Sequence, residues 1–312
     1  MIYRRLLAGA LVAVVASAGC TTTGAPPPST PTPAAATDSA SIPNVEAARW
    51  SPTRAGGSWR YQLLSTGTVS LAGDSSADSL PLGRTVVYSI ALTPTTATGD
   101  DDAAFQFNGA VDSVSVTIPE RIPVPTAGSN SKPHFQGTLA ADGHLLSITS
   151  NATSPCTDAV DPLSAASTLL FATLPKGISP GTRWTDTVST TTCRGRLPIV
   201  TTATRHYEAI ADSSWQGRPA ILVARTDSLS IASRSPSSAA ESAIGSIADS
   251  TGMGATGRGG GTFTLLLDPA SGILLESTGT THTEILVTMG SARFPFQEEA
   301  HQTISLLNQG DD

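Results

Sequence analysis

From Gly57 onward apolar residues recur at every second position, the spacing of a strand with one face in a core and the other in water. Trp59, Tyr61 and Leu63 share one parity, and Val69 and Leu71 continue it. Val86, Tyr88, Ile90 and Leu92 repeat the pattern. Phe105, Phe107 and Val111 hold one parity while Val114, Val116 and Ile118 hold the other, so a β-bulge is expected after Asn108-Gly109. Asp142-Gly143 falls between two such runs and reads as a hairpin turn. Further strands are expected over Gly279–Met289 and Phe294–Leu307. One helix interrupts the series. Asp161 can cap it, Pro162 suits its first turn, Leu163, Ala166, Leu169 and Leu170 form an apolar stripe, and Pro175 limits its end. Ten or more strands with so little helix imply a mainly β, antiparallel fold. Such sheets curl, so a curved sheet or half-barrel is expected, with the helix lying against it between two halves.

The two halves look alike. Gly57-Ser58-Trp59 is echoed by Gly181-Thr182-Arg183-Trp184, and Asp112–Val116 by Asp227–Ile231. Gly137-Thr138-Leu139 is echoed by Gly261-Thr262-Phe263. Either the segment 57–150 is duplicated in 181–288, or β-rich chains reuse common patterns. Residues 233–260, rich in Ser, Ala and Gly, are expected to form a mobile loop within a single mainly β domain over 49–312.

Composition narrows the function classes. A hydrophobic share of 39% and a net charge of −7 exclude full-length disorder. Lys+Arg 18 against Asp+Glu 25, with scattered arginines, leaves no basic surplus for a nucleic-acid partner. At the N-terminus, Arg4 and Arg5 precede an apolar stretch from Leu6 to Ala16, then small residues and Cys20. That order describes a secretory signal peptide over 1–19. Ser17-Ala18-Gly19-Cys20 resembles the lipobox of bacterial lipoproteins, in which the cysteine is lipidated and becomes the first mature residue; Ser17 stands where Leu or Val is usual. The resemblance implies a lipid anchor on Cys20, a Pro/Thr/Ala-rich tether over 20–48, and a cell-envelope location. Thr21, not Asp, follows the cysteine, which favours the outer membrane where one exists. With Cys20 spent on lipid, Cys156 and Cys193 remain, and an oxidising compartment would join them in a disulfide.

No catalytic, cofactor or metal residues are expected. Gly252–Gly257 satisfies G-x-G-x-x-G but has no strand before it and no helix after it, so a flexible loop is the better reading. Ser129–Lys132 fits S-x-x-K without the partner motifs that chemistry needs. His134, His144, His206, His282 and His301 show no metal-ligand spacing, and Asp100–Asp102 lacks the pattern of a calcium loop. Trp59, Trp184 and Trp215 read as core anchors rather than a sugar platform. In outline the expected fold is similar to the half-barrels of lipoprotein carriers that shuttle lipids across the periplasm. That likeness implies a non-catalytic module binding an apolar or lipidic ligand in its curved sheet. The alternatives are an envelope structural or protein-interaction module, and an exported hydrolase with an unrecognised site.

Overall fold

The computed structural model describes residues 57–71, 79–94, 103–117, 133–151, 156, 159–175, 177–194, 197–233 and 253–307. The signal and tether, Cys20, Asp100–Asp102 and Ser129–Lys132 lie outside them. Eleven strands form one antiparallel sheet: β1 (Ser58–Leu71), β2 (Leu80–Pro94), β3 (Ala103–Thr117), β4 (His134–Ala140), β5 (Leu145–Ser150), β6 (Arg183–Arg194), β7 (Leu197–Trp215), β8 (Arg218–Ser233), β9 (Met253–Leu267), β10 (Leu274–Met289) and β11 (Ala292–Leu307). Their order is β5-β4-β3-β2-β1-β11-β10-β9-β8-β7-β6. Two meanders are therefore stitched together by the first and last strands, Arg60 opposite Leu307 through Leu71 opposite Phe296. The result is a nearly closed barrel whose free edges are β5 and β6.

The crossover between those edges fills the seam. Asp161 accepts from the Leu163 and Ser164 backbone N–H groups and caps α1 (Pro162–Ala166), and a 3-10 turn over Ser167–Leu170 continues it. Just before the helix, Val160 pairs in parallel with Thr192 of β6, its N–H reaching the Thr191 carbonyl at 2.8 Å. On the other side the Asp161 N–H points to Ser150 Oγ of β5 at 3.4 Å. Cys156 is bonded to Cys193 and pins the crossover to β6. Closing that loop stabilises the fold by ~3–4 kcal/mol in the chain-entropy model.

The chain's own bulges bend the sheet. The parity switch in β3 occurs, but three residues later than the sequence suggests. Ser113 faces Val87 and Val111 faces Tyr88, which leaves Asp112 as the bulged residue. The Asp112 carboxylate accepts from Ser89 Oγ at 2.6 Å, an outward contact that fixes the bulge there. Gly109 stays in register because the Phe135 ring lies over it. Residues 253–260, expected in a loop, instead form the first half of β9. They are paired with β8 from Thr256 on and with β10 throughout, and two-sided pairing overrides glycine's poor strand preference. The tight turn at Asp142-Gly143 forms as expected, with Gly143 at φ 82° and the His144 N–H bonded to Asp142 Oδ1. Gln216-Gly217, both at positive φ, make the equivalent turn between β7 and β8.

The core occupies one end of the barrel. Trp59, Tyr61 and Leu63 of β1, Val86, Tyr88 and Ile90 of β2, and Phe263, Leu265 and Leu267 of β9 pack there. Leu170, Phe171, Leu174 and Ile178 of the crossover pack into the same cluster and plug that end. Trp59 and Trp215 are buried in it and Trp184 borders it, so all three are core residues. The described strands begin at Ser58 and this core at Trp59.

Candidate functional site

Register-opposite residues on antiparallel strands share a face, so the inner surface of the barrel can be read row by row. Above the core comes a polar belt. Asp186, Arg205, Asp227, Gly261, Thr281 and Ala300 are successive partners across β6 to β11. The adjoining row runs Trp184, Tyr207, Arg225, Phe263, Gly279 and Gln302. Both arginines are about 3% exposed.

Each buried arginine has its own carboxylate, on very different terms. Arg205 grips Asp186 through Nε and Nη2, both at 2.6 Å, and donates Nη1 to the Phe171 carbonyl at 3.2 Å. Asp186 also accepts from Tyr207 Oη at 3.3 Å and the Thr173 N–H at 3.4 Å. Burial alone would raise the Asp186 carboxyl, but the bonds and charge of Arg205, joined by Thr173, outweigh it and hold it below the usual carboxylate range. This pair ties the crossover to the barrel wall, since Trp184 Nε1 donates to the Thr173 carbonyl at 2.7 Å and stacks on Tyr207.

Arg225 meets Asp227 less well. Its Nη2 donates to Oδ2 at 3.1 Å, while Nε lies 2.9 Å from Oδ1 but out of line for a hydrogen bond. Its guanidinium lies 4.1 Å over the Phe263 ring. Burial therefore wins at Asp227, and its carboxyl is pushed up despite the two arginines.

Beyond the belt the inner face turns apolar again and opens. Leu71 of β1, Leu80 of β2, Val114 and Val116 of β3, Met253 of β9 and Met289 of β10 all carry inner-face parity, and they are 36–42% exposed. Ile285, Val287, Phe294 and Phe296 lie half-buried in the same zone. These six account for most of the large apolar side chains exposed among the described residues. Leu146 and Ile210 are exposed because they are bulged residues, and Leu64 faces outward. Scattered exposed apolar side chains are ordinary, but a continuous arc of them along one end of the inner face, from β3 through β1 to β9, is not. The interior thus has a filled apolar floor, a belt of paired charges with buried Glu298 beside it, and an apolar mouth.

The histidines are dispersed. His206 meets Thr185 Oγ1 at 3.0 Å on the outer face, His144 meets Thr173 Oγ1 at 3.3 Å, and His282 stands exposed, 3.9 Å from Glu284 and from Glu299. Among the described residues no three His, Cys, Asp or Glu side chains cluster as a metal site, and no helix is long and apolar enough to cross a membrane. Sequence reasoning missed Asp186, Arg205, Arg225 and Asp227. The signal was available: each is a charge standing at core parity in an alternating strand. No family model matches this chain, and no curated protein matches its sequence.

Proposed function

We propose that the protein is an exported lipoprotein, anchored through lipid on Cys20, whose barrel holds an apolar or lipidic ligand in its open mouth without catalysing a reaction. The observation that carries this reading is the arc of part-exposed apolar side chains on the inner face. Left bare, such a surface is unfavourable in water by roughly 25 cal/mol per Å². Methionines at the rim suit a site that adapts to flexible chains. The Cys156–Cys193 bond supports an oxidising compartment. The filled floor limits the ligand to the mouth, because the crossover side chains already occupy the far end.

The test uses the chain from Thr21 to Asp312, which keeps every described residue of the sheet and its core, purified without detergent. Nile red fluorescence should rise on mixing with it. Val116→Asp, which introduces a charge at a part-exposed position, should weaken that binding at least ~10-fold while leaving the melting temperature nearly unchanged. Equal dye binding by the two proteins, or none by either, would overturn the reading.

A further inference from the structure

We propose that Arg84 is the anion-binding residue of the mouth and that the ligand is a single-chain amphiphile ending in a carboxylate, a fatty acid. This rests on reading the mouth as an apolar-ligand site. Arg84 sits on the inner face of β2, in line with Leu80, Leu82, Val86 and Tyr88. Across the ladder it faces Val116, and Val86 faces Val114. Its immediate neighbours on β3 are therefore apolar.

Among the described residues Arg84 has no carboxylate partner. Inside the barrel this sets it apart, because Arg205 and Arg225 each hold an aspartate within 2.9 Å. On the outer surface Arg60, Arg183 and Arg258 are likewise paired, with Asp112, Glu208 and Glu284. Arg218 and Arg293 lack such a partner too, but both are exposed to water, whereas Arg84 is half-buried. The nearby Tyr88 hydroxyl donates to the Leu163 carbonyl at 2.9 Å and carries no charge to match Arg84, and Asp161, which acts on the same hydroxyl, accepts from the helix backbone as its cap.

A guanidinium against an apolar wall is stable when its charge is matched. Its planar fork accepts a carboxylate through two parallel hydrogen bonds. A cation with no carboxylate at ion-pair distance among the described residues calls for a monoanionic head, and the apolar side chains beyond it call for a hydrocarbon tail. The belt adds no second cation, because its two arginines are neutralised by Asp186 and Asp227.

Displacement of Nile red from the Thr21–Asp312 chain separates this inference from the reading beneath it. Oleate and methyl oleate share a tail and differ in the charge. Oleate should compete at least ~10-fold more strongly than the ester, as expected for one charge-assisted bidentate contact. In Arg84→Gln the two should become equal, with the ester changed by no more than about twofold, and Arg84→Lys should restore part of the preference. If the wild-type chain binds both alike, or Arg84→Gln keeps the preference, the assignment of Arg84 fails while the apolar mouth stands. If neither ligand displaces the dye, the apolar-ligand reading falls with it. Should Arg84→Gln not fold, the wild-type comparison of acid and ester and the Arg84→Lys result still decide.

Discussion

Replacing Asp186 by Asn should destabilise the protein by about 3–5 kcal/mol, because it strands the Arg205 charge in an interior where it is about 3% exposed. For a body of this size that corresponds to a fall in melting temperature of roughly 6–20 °C. Asp227→Asn should cost less than half as much. The Arg225–Asp227 geometry is poorer, and Arg225 keeps its contact with the Phe263 ring. The double substitution Asp186→Leu/Arg205→Met should recover most of the lost stability, since a buried pair replaced by apolar residues of similar volume is often neutral. Thermal melts of the four proteins measure this. A loss for Asp186→Asn no larger than for Asp227→Asn would show that the Arg205 pair does not hold the crossover.

The two carboxyls also act in opposite directions with pH. Asp186 is held below its ordinary value, so its contribution is full above the unfolded-state value near 4 and is lost as pH falls through the lower folded value. Asp227 is raised, so folding shifts it toward the protonated form relative to the unfolded chain. Its contribution is present below the unfolded-state value and is lost as pH rises through the higher folded value. Asp186→Asn should therefore flatten the acid side of the stability curve below about pH 4. Asp227→Asn should flatten the slope above that point.

The second large effect concerns the glycines over which aromatic rings lie. Phe135 covers Gly109, Phe107 lies against Gly137, and Phe263 covers Gly279, each pair directly opposed in register. A Cβ at Gly137 would lie 2.1 Å from the Ser147 carbonyl as well as 2.5 Å from the Phe107 ring. The three atoms nearest a Cβ at Gly109 all belong to the Phe135 ring, the first at 2.2 Å. Both Gly→Ala changes should destabilise, by more than ~3 kcal/mol at Gly137, where backbone itself obstructs. Adding Phe135→Leu should partly rescue Gly109→Ala, whereas Phe107→Leu should not rescue Gly137→Ala. Denaturant unfolding of the pairs measures the coupling, and equal rescue at both sites would mean that Ser147 does not obstruct.

These sites also mark where the sequence is legible. Strands are readable because alternation is local: a residue's parity in Trp59–Leu63 or Val86–Leu92 does not depend on distant partners. The helix and the Asp142-Gly143 turn are readable for the same reason, since a cap and a positive φ are local demands. The pairing of β1 with β11 is not local. It joins the two ends of the described chain, and nothing in either strand's pattern names the other. The glycines of β9 mislead for a related reason. Their strand character comes from β8 and β10 on either side, not from their own preference. The polar belt falls between these cases. Arg225 and Asp227 interrupt a run of Ile221, Val223, Leu229 and Ile231 at inward parity, and Arg84 stands likewise between Leu82 and Val86. Such a charge announces that something inside must answer it. For Arg205 and Arg225 the answer lies in the chain.

The mass of the Thr21–Asp312 chain, taken through an oxidising compartment and purified without detergent, tests the mouth most directly when read by native mass spectrometry. A species heavier than the polypeptide by one fatty acid or comparable apolar molecule, lost on denaturation, is the expected result. A bare polypeptide mass that stays bare after incubation with oleate would contradict a ligand-holding barrel.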